Sequence, residues 1–107
     1  MKRNIELITN RADVSEKGIE KYLVGMAREL GGICLKYSNA NMVGYPDRIV
    51  LLPKGKFFFC ELKSKGGRTS KIQDIRFEEL NKIGFRVYIC NSKRDVDEML
   101  KYECHEI

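Results

Sequence analysis

The chain has 107 residues, 43% hydrophobic and 33% charged, with 20 Lys and Arg against 15 Asp and Glu for a formal net charge of +5. That is one domain's worth of a globular composition, too hydrophobic for a disordered chain. No apolar run approaches the roughly 20 residues that cross a bilayer, and the N-terminus lacks the apolar core of a signal peptide, so an intracellular protein without a membrane partner is expected.

Residues 1–12 read as a polar arm or an early strand or helix, since Ile5, Leu7 and Ile8 give no clear period. A helix is predicted from about 14 to 30, because Ile19, Tyr22, Leu23, Met26, Ala27 and Leu30 recur at helical spacing. Asp13 with Glu16, or Ser15, would cap it, and Gly31 with Gly32 would end it. Three strands follow at 32–38, 47–53 and 57–63. A polar loop, NANMVGYP, separates the first two, and a short turn at 53–56 makes a hairpin of the second and third. The last two strands are nearly continuous apolar runs, which predicts a sheet covered on both sides. Ser70 and Gln73 have capping-box spacing and open a second helix reaching about 83, with Ile72, Ile75, Leu80 and Ile83 expected inward. A fourth strand at 85–91 and a final helix at 94–102, burying Val96, Met99 and Leu100, complete the order α-β-β-β-α-β-α. This is an α/β chain with a mixed sheet of about four strands flanked by helices.

Cysteines at 34, 60, 90 and 104 and a single histidine, His105, have no zinc-ligand spacing. Cys34, Cys60 and Cys90 fall in strands and read as core thiols of a reducing compartment.

The chemistry gathers at the end of FFFCELK. Glu61 and Lys63 are two residues apart on a strand, so they share a face. Asp47 opens the neighbouring hairpin strand, and a turn near 54–55 sets it roughly opposite 61–63. Two carboxylates that close repel unless a cation neutralises them; Lys63 or a divalent metal would serve. A hard ion such as Mg2+ suits a pair of carboxylates, with remaining positions left to water and phosphate. Lys63, Lys65, Arg68, Lys71 and Arg76 fall within fourteen residues that begin at this strand end, a basic run suited to a polyanion.

Gly44-Tyr45-Pro46-Asp47, then Glu61-Leu62-Lys63, then Ser70 and Gln73, resembles the virus-type replication-repair (VRR-NUC) branch of the PD-(D/E)xK nuclease superfamily. The resemblance covers residues 14–100 and implies one nuclease domain over 1–107 with a restriction-endonuclease-like fold. It implies Asp47, Glu61 and the carbonyl of Leu62 as ligands of Mg2+ or Mn2+, Lys63 as the catalytic lysine and Gln73 as a site residue. The family's first-helix glutamate falls on Glu20, with Glu16 the alternative. Lys65, Arg68, Lys71 and Arg76 would hold flanking phosphates, with Tyr37, Asn39 and Asn41 as further candidates near the exit of the first strand. Such contacts hold the backbone without reading sequence, so structure-selective cutting is expected.

The implied activity is a metal-dependent endonuclease on branched DNA, above all four-way junctions. It would work as a homodimer, free of small-molecule cofactors, in the cytoplasm of a bacterial or phage-infected cell. The first helix with Met42 and Val43 is the expected interface. A flap- or nick-directed nuclease, a DNA-structure binder that does not cut, and an RNA-directed nuclease are the alternatives.

Overall fold

The computed structural model describes residues 15–105. The predicted arm at 1–12 and the Asp13 cap lie outside that range. Helix α1 spans Glu16–Glu29, and the Ser15 side chain caps it by accepting from the Gly18 amide at 3.3 Å. The chain leaves α1 through Gly31 and Gly32. A Cβ on Gly32 would sit 2.2 Å from the Leu51 carbonyl oxygen, so only glycine allows β1 to start this close to the sheet.

Strands β1 (Ile33–Lys36), β2 (Arg48–Leu52) and β3 (Lys56–Leu62) form an antiparallel meander, and a short 3-10 turn at Pro53–Gly55 joins the last two. Helix α2 (Lys71–Lys82) carries the chain over to β4 (Val87–Cys90), which pairs parallel with β3, and α3 (Lys93–His105) ends the described residues. The sheet order is β1-β2-β3-β4, the mixed arrangement expected. Among the described residues no helix is long and apolar enough to cross a membrane.

The two faces of the sheet differ. Val50, Leu52, Phe58, Cys60, Leu62 and Cys90 point to one face and pack against Ile19, Leu23 and Ala27 of α1 and Val96, Met99 and Leu100 of α3. Each large side chain buried this way is worth about 1.5–3 kcal/mol. The Tyr22 hydroxyl donates to Asp97 at 2.6 Å and ties the two helices together. At the far side of this layer Glu103 is fully buried, and it accepts from Arg86 through both oxygens and from the Tyr88 hydroxyl. Burial alone would push this carboxyl up, but the Arg86 and Tyr88 hydrogen bonds outweigh it and hold the group below the usual carboxylate range.

The opposite face departs from the expectation of cover on both sides. Phe57, Phe59 and Phe85 meet edge to face there, at centroid distances of 5.3–6.0 Å, yet Ile33, Leu35 and Ile89 on the same face are exposed. Helix α2 covers only the end of this face, around Glu61. Its inward side also differs from the prediction. Phe77 is buried and Gln73, Arg76 and Leu80 are half-buried, whereas Ile72 and Ile75 are exposed and Ile83 is 71% exposed. The stripe facing the sheet is thus half polar, and the isoleucines lie beside it.

The capping box of α2 is complete. Ser70 Oγ accepts from the Gln73 amide at 3.2 Å, and Gln73 Oε1 accepts from the Ser70 amide at 3.0 Å. Ser70→Ala should cost about 1 kcal/mol of stability, read as a lower urea midpoint with unchanged slope.

All four cysteines are free thiols. Cys60 and Cys90 are buried with their sulfurs 3.7 Å apart, Cys34 is half-buried and Cys104 is exposed.

Candidate active site

The register places the site. Arg48 pairs with Cys60, so the position before it, Asp47, stands opposite Glu61 on the open face of the sheet. The Asp47 carbonyl accepts from the Tyr37 amide at 2.8 Å, and its own amide donates to Glu61 Oε1 at 3.2 Å. The strand carries Glu61 into an almost dry position, 5% exposed. Its other oxygen, Oε2, accepts from Lys63 Nζ and from Gln73 Nε2, both at 3.1 Å. Leu62 between them has its side chain in the core, and the Lys63 amide donates to the Cys90 carbonyl at 3.0 Å. Glu61 and Lys63 are therefore aimed by the sheet rather than by a loop.

Gln73 uses both ends of its amide. Its oxygen completes the capping box of α2, which turns its NH2 group toward Glu61. A glutamate would cap the helix equally well but would set a third carboxylate against Glu61.

Asp47 is the unsatisfied member. Its Oδ1 is buried and has no hydrogen-bond partner among the described residues. Burial, and then the charge on Glu61, push its carboxyl up to about 6. The fold thus brings Asp47, Lys63 and Gln73 together around Glu61.

Glu20 and Glu16 of α1 stand near enough for their charges to add, after burial and Glu61, to the rise in the Asp47 carboxyl. Glu20 is held by Arg48, whose Nη2 lies 2.9 Å from Glu20 Oε2, and Glu16 is exposed in the first turn of α1. Among the described residues no three His, Cys, Asp or Glu side chains gather as a metal-holding group.

The basic run divides. Lys65, Arg68 and Lys71 are exposed around the mouth of the site. Arg76 is half-buried and bonded to Val43 and Glu79. Asn39 shapes its own loop, accepting from the Asn41 and Met42 amides and donating to the Tyr37 hydroxyl. Asn91 escaped the sequence reading. It donates to the Ser64 and Gly67 carbonyls and fastens the loop bearing Lys65 to the end of β4. Its only signal was an amide at the strand end beside the Glu61 strand.

The model of the VRR-NUC domain matches residues 12–94. The chain belongs to the VRR-NUC family. A solved structure described as a VRR_NUC domain superposes with a TM-score of 0.78 at 29% identity, covering 86% of this chain and 97% of that one. The protein named "Putative nuclease p44" of Acyrthosiphon pisum secondary endosymbiont phage 1 is 36% identical over 80 residues, 75% of this chain and 86% of that protein. The VRR-NUC match takes in every motif residue from Glu16 to Arg76 and stops within α3.

Proposed function

We propose that this VRR-NUC nuclease is a metal-dependent endonuclease that hydrolyses phosphodiester bonds in branched DNA, acting on four-way junctions as a homodimer. The observation that carries the metal dependence is the buried, unpartnered Asp47 oxygen beside Glu61. Two carboxylates facing one another, one with its carboxyl driven up by burial and then by the other's charge, fit a hard divalent cation. Asp47 and Glu61 would hold Mg2+ or Mn2+, with the Leu62 carbonyl beside them. Glu20 would join only on leaving Arg48. The chemistry supplied by a cation there is Lewis-acid activation of the scissile phosphodiester and of attacking water.

The chain's own residues do the rest. Lys63, held against Glu61, offsets charge growing on the phosphate oxygens and orients the attacking water. Gln73 keeps Glu61 in place from α2. Lys65, Arg68 and Lys71 hold flanking phosphates, contacts that fix position without reading bases. Two symmetric cuts require two sites related by a twofold axis. Helix α1 spends its apolar stripe on the core, so its part in an interface shrinks. Exposed Ile33, Leu35 and Ile89, on the face that carries Glu61, give a second copy more apolar surface than Met42 and Val43 alone.

The test is cleavage of a labelled four-way junction beside flap and linear duplex DNA, in Mg2+ and Mn2+. Paired nicks in the junction, with a dimer by light scattering, are expected. Flap cutting by a monomer would keep the nuclease and remove the junction and the dimer. Metal-free binding without cutting would leave a DNA-structure binder, and cutting confined to RNA would change the substrate. Binding should weaken with salt by about 0.9 log units per log unit for each duplex phosphate held, and Lys65→Ala should flatten that slope by about one phosphate.

A further inference from the structure

Arg76 is placed to serve Asp47 rather than DNA. The segment before Asp47 packs on α2 at Ile72 and Arg76. Arg76 Nε donates to the Val43 carbonyl at 3.1 Å. Its guanidinium carbon sits 5.3 Å from the centre of the Tyr45 ring, and Nη1 lies 3.3 Å from Glu79 Oε1. The Tyr45 hydroxyl reaches toward Glu79 as well, at 3.5 Å. Between Val43 and Tyr45, Gly44 takes φ 95°, and a Cβ there would lie 3.0 Å from Arg76 Cγ, 3.0 Å from Ile72 Cγ1 and 3.1 Å from the Ile72 carbonyl oxygen. The backbone is thus pressed directly onto the helix. Pro46 follows, fully buried, and then Asp47.

One turn back along α2, Gln73 holds Glu61. The same rigid helix therefore references both carboxylates, one through Gln73 and one through Arg76. We infer that Arg76 is a positioning residue that clamps the Val43–Pro46 segment to α2 and so sets the separation of Asp47 from Glu61. Its planar fork is matched to a carbonyl, a ring face and a carboxylate at once, a combination that a lysine ammonium does not reproduce. Cation–π stacking on Tyr45 adds to the hold. The effect on cleavage rests on the nuclease reading above; the clamp itself does not.

The experiment compares wild type with Arg76→Lys, which keeps the charge and loses the fork. A clamp predicts that kcat on cleaved DNA falls by about tenfold or more, as small misplacements of reacting groups do. KM, junction affinity and its salt slope should stay within about twofold, because the cation count is unchanged. Tyr45→Leu, which removes the ring beneath the guanidinium, should give the same split and stands in if Arg76→Lys fails to fold. A phosphate contact predicts the reverse: near-normal kcat for Arg76→Lys and a shallower salt slope for Arg76→Met. That result would overturn the clamp.

A second readout needs neither metal nor DNA. The Asp47 amide, bonded to Glu61, should exchange its hydrogen about tenfold faster in Arg76→Lys than in wild type, through local opening of the segment. Unchanged exchange would overturn the inference. If wild type cleaves no DNA the nuclease reading falls, and amide exchange still decides the clamp.

Discussion

Asp47→Asn should abolish cleavage, by a factor on the order of 10^3, and should also make the metal-free protein harder to unfold at neutral pH. The first effect follows from losing one of two facing carboxylates. The second follows from what holds them apart. Burial and the Glu61 charge raise the Asp47 carboxyl from 3.8 to about 6 in the fold. Between those two values the native state keeps a proton that the unfolded chain has lost. Native stability therefore falls as pH rises from about 4 to about 6, and the full penalty applies above that window. Asparagine carries no such penalty. Asp47 is only half-buried, so solvent screening reduces the gain to about 1 kcal/mol. That corresponds to a melting temperature about 4–8 °C higher for a domain of this size.

The measurement is a pair of melting curves from pH 4 to 8 with chelator present. The two proteins should coincide near pH 4 and diverge by pH 7. Adding Mn2+ should then raise the wild-type melting temperature and leave that of Asp47→Asn nearly unmoved, because only a native state that binds the ion gains from it. A variant less stable than wild type at pH 7 would make Asp47 a structural residue.

Arg86→Met should be the most damaging single change away from the site. Arg86 is itself 42% exposed, but its partner Glu103 is fully buried. Removing the guanidinium leaves that carboxylate with the Tyr88 hydroxyl and the more distant Lys56 charge, and stranding a buried charge costs about 3–5 kcal/mol. Against a total of about 5–15 kcal/mol, this puts the fold at risk at 37 °C. The pH profile carries the diagnosis. In wild type the carboxyl is held low, so its contribution is full above its unfolded value and is lost as pH falls through the folded one. In Arg86→Met the carboxyl should titrate high, and acidification toward pH 5 should restore part of the lost stability. A second change, Glu103→Met, should recover most of the rest. If Arg86→Met melts within a few degrees of wild type, the pair is ornamental.

The sequence was most readable where one rule acted alone. Ile19, Leu23 and Ala27 repeat at helical spacing because α1 lies on the apolar middle of one sheet face. Asp47 and Glu61 could be set opposite one another because a short hairpin turn leaves little freedom of register. Helix α2 was misread for a physical reason. Its inward stripe, Gln73, Arg76, Phe77 and Leu80, serves both a sheet and a site, and polar residues occupy half of it. A search for apolar period finds the isoleucines beside it instead. The open sheet face was misread likewise: Ile33 and Leu35 look like core residues in a list of letters, yet both are exposed. What the spacing of Glu20 did not show is that Arg48, arriving from β2, takes hold of it.

The four thiols give this molecule an internal clock. Cys104 stands in solvent and would react with a thiol reagent at once. Cys60 and Cys90 lie on the two strands behind Glu61, inside the layer formed by α1 and α3. A reagent reaches them only when that layer parts, so their labelling rate in dilute reagent times the opening of the central strands. The four sulfurs thus separate motions of the surface from motions of the frame beneath the chemistry, without a single added probe.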